Sequence, residues 1–295
     1  MAQNRGFMTR ELPSWLNAIL VLGTMVTVVY LEIKRPLRKT RQDKVTRDAR
    51  NILMSVMTAA TIAIAEKPVT TPLSLAVERN DWGFLKLRRL PVWTELLFSV
   101  LLLDYTLYMW HYLTHKVPFL WRFHLAHHVD LDLDASTALR FHAVEMLLSV
   151  PWRAAQVLLL GISPFALALW QTLTLMEIMF HHSNIRLPEN LERRLCHLIV
   201  TPRMHGIHHS IAREETDSNW ATIFTWPDRL HGTMQLNVPQ KEITIGVAAY
   251  QQPEELTIGR IMKLPFVADR PNWQLIDGRE PERHALPGPK TKLAV

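Results

Sequence analysis

A single cysteine, Cys196, stands in 295 residues, so no disulfide can close within the chain and no zinc or iron–sulfur site built on cysteine is available. No HExxH helix occurs, which removes the zinc-protease signature, and no Gly-rich dinucleotide fingerprint follows a strand-like run. Internal repeats are absent as well. The net charge of +6 comes from basic residues placed beside apolar runs, with no arrangement for reading bases, so nucleic acid is not an expected partner. Mean hydropathy is close to zero, at +0.02, but that average conceals a strong alternation.

Several stretches are almost free of charge and approach the ~20 residues that cross a bilayer core: 14–31, 93–110, 143–160 and 165–180, with a shorter one at 51–65. The fold expected is therefore all-α, a multi-pass transmembrane helical bundle. Between the first two stretches lie Lys34, Arg35, Arg38, Lys39, Arg41, Lys44, Arg47 and Arg50 against only Asp43 and Asp48. The positive-inside rule puts this loop in the cytoplasm and the N-terminus outside. The first stretch lacks a small-residue cleavage site and runs straight into the basic loop, so it reads as a retained anchor.

The chain then divides into an N-terminal anchor with its basic loop (1–50), a membrane-embedded catalytic domain (51–240) and a C-terminal cytoplasmic segment ending in a loose tail (241–295), the tail being rich in Pro, Arg and Lys from about Asp269. Residues 66–90, with Pro68 and Pro72, are expected to lie on the outer surface. Gly161-Ile162-Ser163-Pro164 is a helix-stopping cluster suited to a tight turn between two antiparallel helices. With these spans, every histidine-rich segment falls on the cytoplasmic side.

Those segments carry the chemistry. His111 and His115 are four apart, one face of a helix; His124, His127 and His128, and again His205, His208 and His209, stand at i, i+3 and i+4. His181 or His182 adds a donor at a helix end, and neighbours on a helix point about 100° apart, so the two do not serve one ion equally. Any one of these histidines alone is more simply a hydrogen-bonded core residue, but the repeated spacing makes a ligand array. Eight or nine imidazoles are too many for one ion; shared between two they give four or five nitrogens each, which suits iron with a position for oxygen better than closed tetrahedral zinc. Asp104, inside an apolar span and on the same helical face as His111, is costly there without a partner and could orient that ligand. His142 and Glu145 are further candidates for groups behind the ligands. His197, His231 and His284 read as surface or structural.

The series HxxxH, HxxHH, a later His and a final HxxHH, attached to membrane helices, resembles the fatty acid hydroxylase superfamily, which includes sterol desaturases and alkylglycerol monooxygenase. Asp104, Ser136-Thr-Ala-Leu-Arg140 with His142 and Glu145, His182-Ser-Asn184, Thr201-Pro-Arg-Met-His205 and the stretch 219–233 extend the likeness over roughly 30–234. It is closest to the bacterial sterol-desaturase-like and alkylglycerol-monooxygenase-like members. Tyr112, Ala143, and Pro227 with His231 depart from the family pattern without touching an expected ligand.

The resemblance implies His111, His115, His124, His127, His128, His182, His205, His208 and His209 as metal ligands, His182 being favoured over His181. It also implies a di-iron centre with dioxygen as co-substrate, and hydroxylation of an unactivated C–H bond in a lipid or sterol-like molecule drawn from the bilayer. Electrons would come from an external donor protein, and the location would be a bacterial inner membrane with the metal site facing the cytoplasm. A desaturase using the same centre is the alternative enzyme, and a membrane metal-binding or transport protein the alternative without catalysis. A transporter would set its ligands near the bilayer midplane, whereas these stand at helix ends.

Overall fold

The computed structural model describes residues 8, 12–88, 90–281 and 289–293. His284 lies outside them. The described residues are mostly helical, and the only strand-like pairings among them are isolated bridges at Pro36 and Ile185, Ile199 and Phe224, and Ser210 and Ile245. Among the described residues, four helical runs are long and apolar enough to cross a membrane: Ser14–Lys34, Lys44–Lys86, Val92–Lys116 and Ala143–Leu160.

The first run is α1 (Ser14–Lys34). The second departs from expectation, because α2 (Lys44–Thr61) passes through a π-turn (Ile62–Glu66) directly into α3 (Lys67–Asn80). Residues 66–80 are thus a continuation of the membrane helix and not a separate surface stretch. Proline lacks an N–H and its ring crowds the carbonyl four residues back. The π-turn opens that register just before Pro68, with Lys67 N–H bonding the Ile62 carbonyl five residues earlier. Asp43 caps the run at its start, its carboxylate accepting from Thr46 N–H at 2.9 Å.

Next come α4 (Val92–Lys116) and α5 (Pro118–His128). The break between them is at Val117, held in extended conformation as the residue before a proline. Then α6 (Ala143–Leu160) ends at Gly161, whose φ of +82° is left-handed. Gly161 N–H and Ile162 N–H both bond the Val157 carbonyl, closing the helix. A Cβ on Gly161 would stand 2.7 Å from the Trp82 carbonyl oxygen, so glycine also permits the loop after α3 to cross here. Lys86 sits buried between Glu78 and Glu95, pinning that loop to α4.

The turn ends at Ser163, which caps α7 (Pro164–His182). This helix falls outside the four candidate spans; it packs against α1, α3, α4 and α9, with Leu167 and Trp170 in a core shared with Leu96, Val100 and Leu103 of α4. The remaining helices are short: α8 (Glu189–Leu195), α9 (Pro202–His208), α10 (Arg213–Thr216), α11 (Trp226–Leu230) and α12 (Ile258–Lys263). The chain beyond 241 does not begin loosely, since Val247, Ala249, Tyr250, Leu256 and Ile261 share a buried cluster with Trp121 and Leu125 of α5.

A candidate dinuclear metal centre

Three helices end on their histidines. His115 occupies the last turn of α4, His127 and His128 that of α5, and His181 and His182 that of α7. A helix C-terminus carries partial negative charge, so this convergence favours a cation where the three ends meet. The short helix α9, capped by the Thr201 hydroxyl, brings His205 and His208 to the same place, with His209 next in the chain.

Eight imidazoles resolve into two groups. His111, His115, His128 and His208 form one, and His127, His182, His205 and His209 the other; within each, the donor nitrogens lie within 4.8 Å of one another. The groups adjoin, with the His128 and His209 rings stacked 4.3 Å apart between centroids. No carboxylate belongs to either group.

Hydrogen bonding decides whether a metal fits. His182 Nδ1 donates to the Ile178 carbonyl at 2.7 Å and His127 Nδ1 to the Arg140 carbonyl at 3.3 Å. A carbonyl only accepts, so in the neutral rings the proton is on Nδ1 and the Nε2 lone pairs are bare. Yet His127 Nε2 and His182 Nε2 stand 3.0 Å apart, and His205 Nε2 is 2.9 Å from His182 and 3.0 Å from His209. The two bare nitrogens of His127 and His182 at this distance call for a cation between them, while Nδ1 of His205 and of His209 is buried without a partner. A proton is disfavoured: burial and the surrounding histidines push His127, His205 and His209 well below their ordinary value. Burial similarly brings His208 down to about 3. These rings are neutral at physiological pH, the form that binds metal.

In the first group two of the four histidines are also fixed by carbonyls. His111 Nδ1 donates to Trp220 O at 2.8 Å and His208 Nδ1 to Ser218 O at 2.8 Å. This leaves Nε2 of His208 buried without a partner, as are Nε2 of His115 and both nitrogens of His128. Such orphaned buried nitrogens are the expected lining of a metal site.

Every second residue from Ser218 thus supplies a carbonyl to a histidine, because Thr222 O takes the His181 Nδ1 proton at 3.1 Å. Two buried carboxylates hold this stretch from behind. Asp104 accepts from Ile223 N–H and Phe224 N–H at 3.0 and 3.1 Å; Asp228 accepts from Trp220 N–H and Ala221 N–H at 3.0 and 3.1 Å. Burial raises Asp228 to about 6 despite those bonds. Asp104 therefore does not touch His111. It reaches that ligand through the backbone that carries the Trp220 carbonyl.

The loop after α5 is anchored separately. Arg140, fully buried, donates to the Ala126 carbonyl and to Asn51 Oδ1, both at 2.9 Å, while its own carbonyl orients His127. Asp130 receives Arg47 at 2.9 Å, and the neighbouring guanidinium groups hold its carboxyl well below the ordinary range against the cost of burial.

Other expected residues fall around the groups. His124 stands outside both: its Nδ1 donates to Glu145 Oε1 at 2.8 Å, and its Nε2 is buried and unpartnered, with the ring 4.9 Å from that of His128. Glu145 is thus directly behind a histidine of the cluster. His142 caps α6, its Nδ1 accepting from Val144 N–H and its Nε2 donating to Met262 O. His181 stands outside the second group, and His182 is within it. His197 and His231 lie away from the centre, against Arg229 and Tyr105. Sequence spacing singles out neither the carbonyls of Ser218, Trp220 and Thr222, nor Asp228, which holds the backbone of that stretch, nor Arg140, whose own carbonyl orients His127. Asp228 and Arg140 had stood only as parts of longer motifs, and a backbone carbonyl leaves no residue type to find.

Residues 96–233 match the fatty acid hydroxylase family. The match contains every residue of both histidine groups, together with Asp104 and Asp228. An ornithine lipid hydroxylase of Rhizobium tropici is 25% identical over 92% of this chain and 81% of its own length. Human cholesterol 25-hydroxylase is 30% identical over 48% of this chain, and human alkylglycerol monooxygenase 29% identical over 45%. The chain spans about half the length of the former, 51%, and 28% of the latter. No solved structure matches.

Proposed function

We propose that this chain is a membrane-bound di-iron oxygenase that uses dioxygen to hydroxylate an unactivated C–H bond of a lipid or sterol-like substrate. The observation that carries the reading is the pair of adjoining four-histidine groups, each with its donor nitrogens within 4.8 Å of one another, the second wholly buried with Nε2 atoms converging at about 3 Å. The similarity to hydroxylases of ornithine lipids and of cholesterol supports a lipid substrate.

When bound, two irons would supply the activation of dioxygen and the oxidising power for the C–H bond. His111, His115, His128 and His208 would hold one and His127, His182, His205 and His209 the other. The protein's own part is to set the geometry and keep water out. The carbonyls of residues 178, 140, 220 and 218 fix the proton of each oriented imidazole on Nδ1 and so aim Nε2 inward. Four neutral imidazoles per ion would fill fewer positions than iron accepts. One candidate span, α4, itself carries His111 and His115, which would bring a hydrocarbon chain in the bilayer close to the centre, and the electrons would come from a separate donor protein. The positive-inside loop, joined to the end of α7 through Pro36 and Ile185, supports a cytoplasmic orientation of the centre.

The test is direct. Protein purified anaerobically from iron-replete cells should carry close to two irons per chain, and with a reductant and oxygen should add a hydroxyl group to an extracted membrane lipid. Tightly held zinc with no iron, or no oxygen-dependent mass gain in any lipid fraction, would overturn the proposal.

A further inference from the structure

Arg38 and Gly206 make a contact that the chemistry above does not use. Gly206 lies between His205 and His208 on α9, in a helical position where alanine would ordinarily be preferred. Here there is no room for it: a Cβ on Gly206 would overlap the Arg38 guanidinium, standing 2.6 Å from Cζ and closer still to Nη2. That guanidinium cannot simply swing aside. Its Nη2 donates to the Pro202 carbonyl at 2.8 Å and to Gln240 Oε1 at 2.5 Å, and Gln240 in turn donates to the Arg203 carbonyl.

The backbone of the same segment is tied to the other ligand helix. Arg38 N–H donates to Asn184 Oδ1 at 2.8 Å, Asn184 Nδ2 donates to the Arg38 carbonyl at 2.9 Å, and Leu37 N–H bonds the Asn184 carbonyl. Asn184 is two residues beyond His182. One short segment therefore fastens the end of α7 to the start of α9, the two elements that bring in His182, His205 and His209.

The arrangement is costly. Nε and Nη1 of Arg38 are buried without partners, and burial brings the guanidinium down to about 9. Arg38 also forms part of the wall of a cavity of about 240 Å³, so truncating it would extend water toward α9.

We propose that Arg38, seated against Gly206, is a positioning residue for the second histidine group, holding His182, His205 and His209 in register for a metal ion. This rests on the dinuclear reading above. Three of the four ligands of that group come from the two elements Arg38 joins, whereas the first group takes only His208 from them. Loss of Arg38 should therefore weaken one metal site and largely spare the other.

Cobalt(II) titration of the purified protein in detergent, read by its visible ligand-field bands and by metal retained over a chelating resin, would test this in wild type, Arg38→Ala, Arg38→Lys, Gly206→Ala and the double variant Arg38→Ala/Gly206→Ala. Arg38→Ala and Gly206→Ala should each weaken the second equivalent roughly 10- to 100-fold, the scale for losing a group behind a ligand. The first equivalent should be little changed. Arg38→Lys should fail similarly, since an ammonium cannot reach both acceptors while lying flat on Gly206. In the Arg38→Ala background Gly206→Ala should do no further harm, because the overlap is gone. Melting of the metal-free proteins separates misfolding from misplacement. Equal harm from Gly206→Ala in both backgrounds, equal weakening of both equivalents, or an unchanged second equivalent in Arg38→Ala would each overturn the proposal. A wild type that fails to take two equivalents would instead sink the dinuclear reading.

Discussion

Replacing Asp104 with asparagine isolates the support behind the first histidine group. The carboxylate accepts two backbone N–H bonds, from Ile223 and Phe224, in a fully buried position. Asparagine keeps the shape, but its amide has one acceptor oxygen and turns an NH2 toward the other N–H. One buried donor is then left unmet, at about 1–3 kcal/mol. At about 1.4 kcal/mol per tenfold, that corresponds to roughly 5- to 150-fold if all of it reached the ligands. The path to His111 runs through the backbone to the Trp220 carbonyl, so part will appear as lost fold stability instead. We expect iron affinity to fall roughly 10-fold and the metal-free protein to melt a few degrees lower. Iron per chain measured at fixed free Fe(II), with melting curves of the apo protein, reads both. Wild-type iron affinity and melting in Asp104→Asn would refute the reasoning and reduce Asp104 to a polar contact within its helix.

Removing His124 should be milder than removing His128: His124→Ala should lower metal affinity and keep both ions, whereas His128→Ala should lose one, as metal analysis after gel filtration will show. Because burial depresses the folded-state values of His208 and its neighbours below the ordinary 6.5, the unfolded chain takes up more protons in acid. The apo protein's stability should therefore be full above about pH 6.5 and fall as pH drops from there toward about 3; a flat melting temperature across that window would contradict the burial. Chelation should lower the melting temperature of the loaded protein, by the equivalent of about 4 kcal/mol for metal held at a thousand times its dissociation constant. With Cys196 replaced by serine, Arg41→Cys and Leu191→Cys, both at exposed positions, should label from the same face of the membrane; labelling from opposite faces would break the common orientation.

The array of histidines was legible because helical spacing alone places i, i+3 and i+4 together, and because apolar runs of bilayer length announce helices whose ends must share a side. What spacing could not do was divide the array. His127 and His128 are adjacent in sequence but enter different groups, since neighbours on a helix diverge, and the division follows from which partner each faces across the bundle. The continuation of α2 into α3 was illegible for a local reason: two prolines read as breakers unless the register change before Pro68 is known. Asp104 stands out in the sequence for its cost in an apolar span and for sharing a helical face with His111, which points to an orienting role but not to the atoms it bonds. The bond goes to Ile223 and Phe224, more than a hundred residues on, which no helical periodicity reports.

Charge gives these scattered features one physical account. Eight neutral imidazoles would leave the charge of two cations uncompensated by any ligand, and an uncompensated charge in a dry interior is expensive. Compensation has to come from groups one step further out. Glu145 lies behind His124, and Asp104 and Asp228 sit behind the stretch whose carbonyls orient His111, His208 and His181. All three carboxylates are buried, and none has an Arg or Lys side chain within ion-pairing distance among the described residues. A buried carboxylate without a cationic partner is disfavoured unless a positive charge stands nearby. Metal binding would supply that charge to all three at once. The acids that raise the energy of the empty centre would then be what makes the loaded one stable.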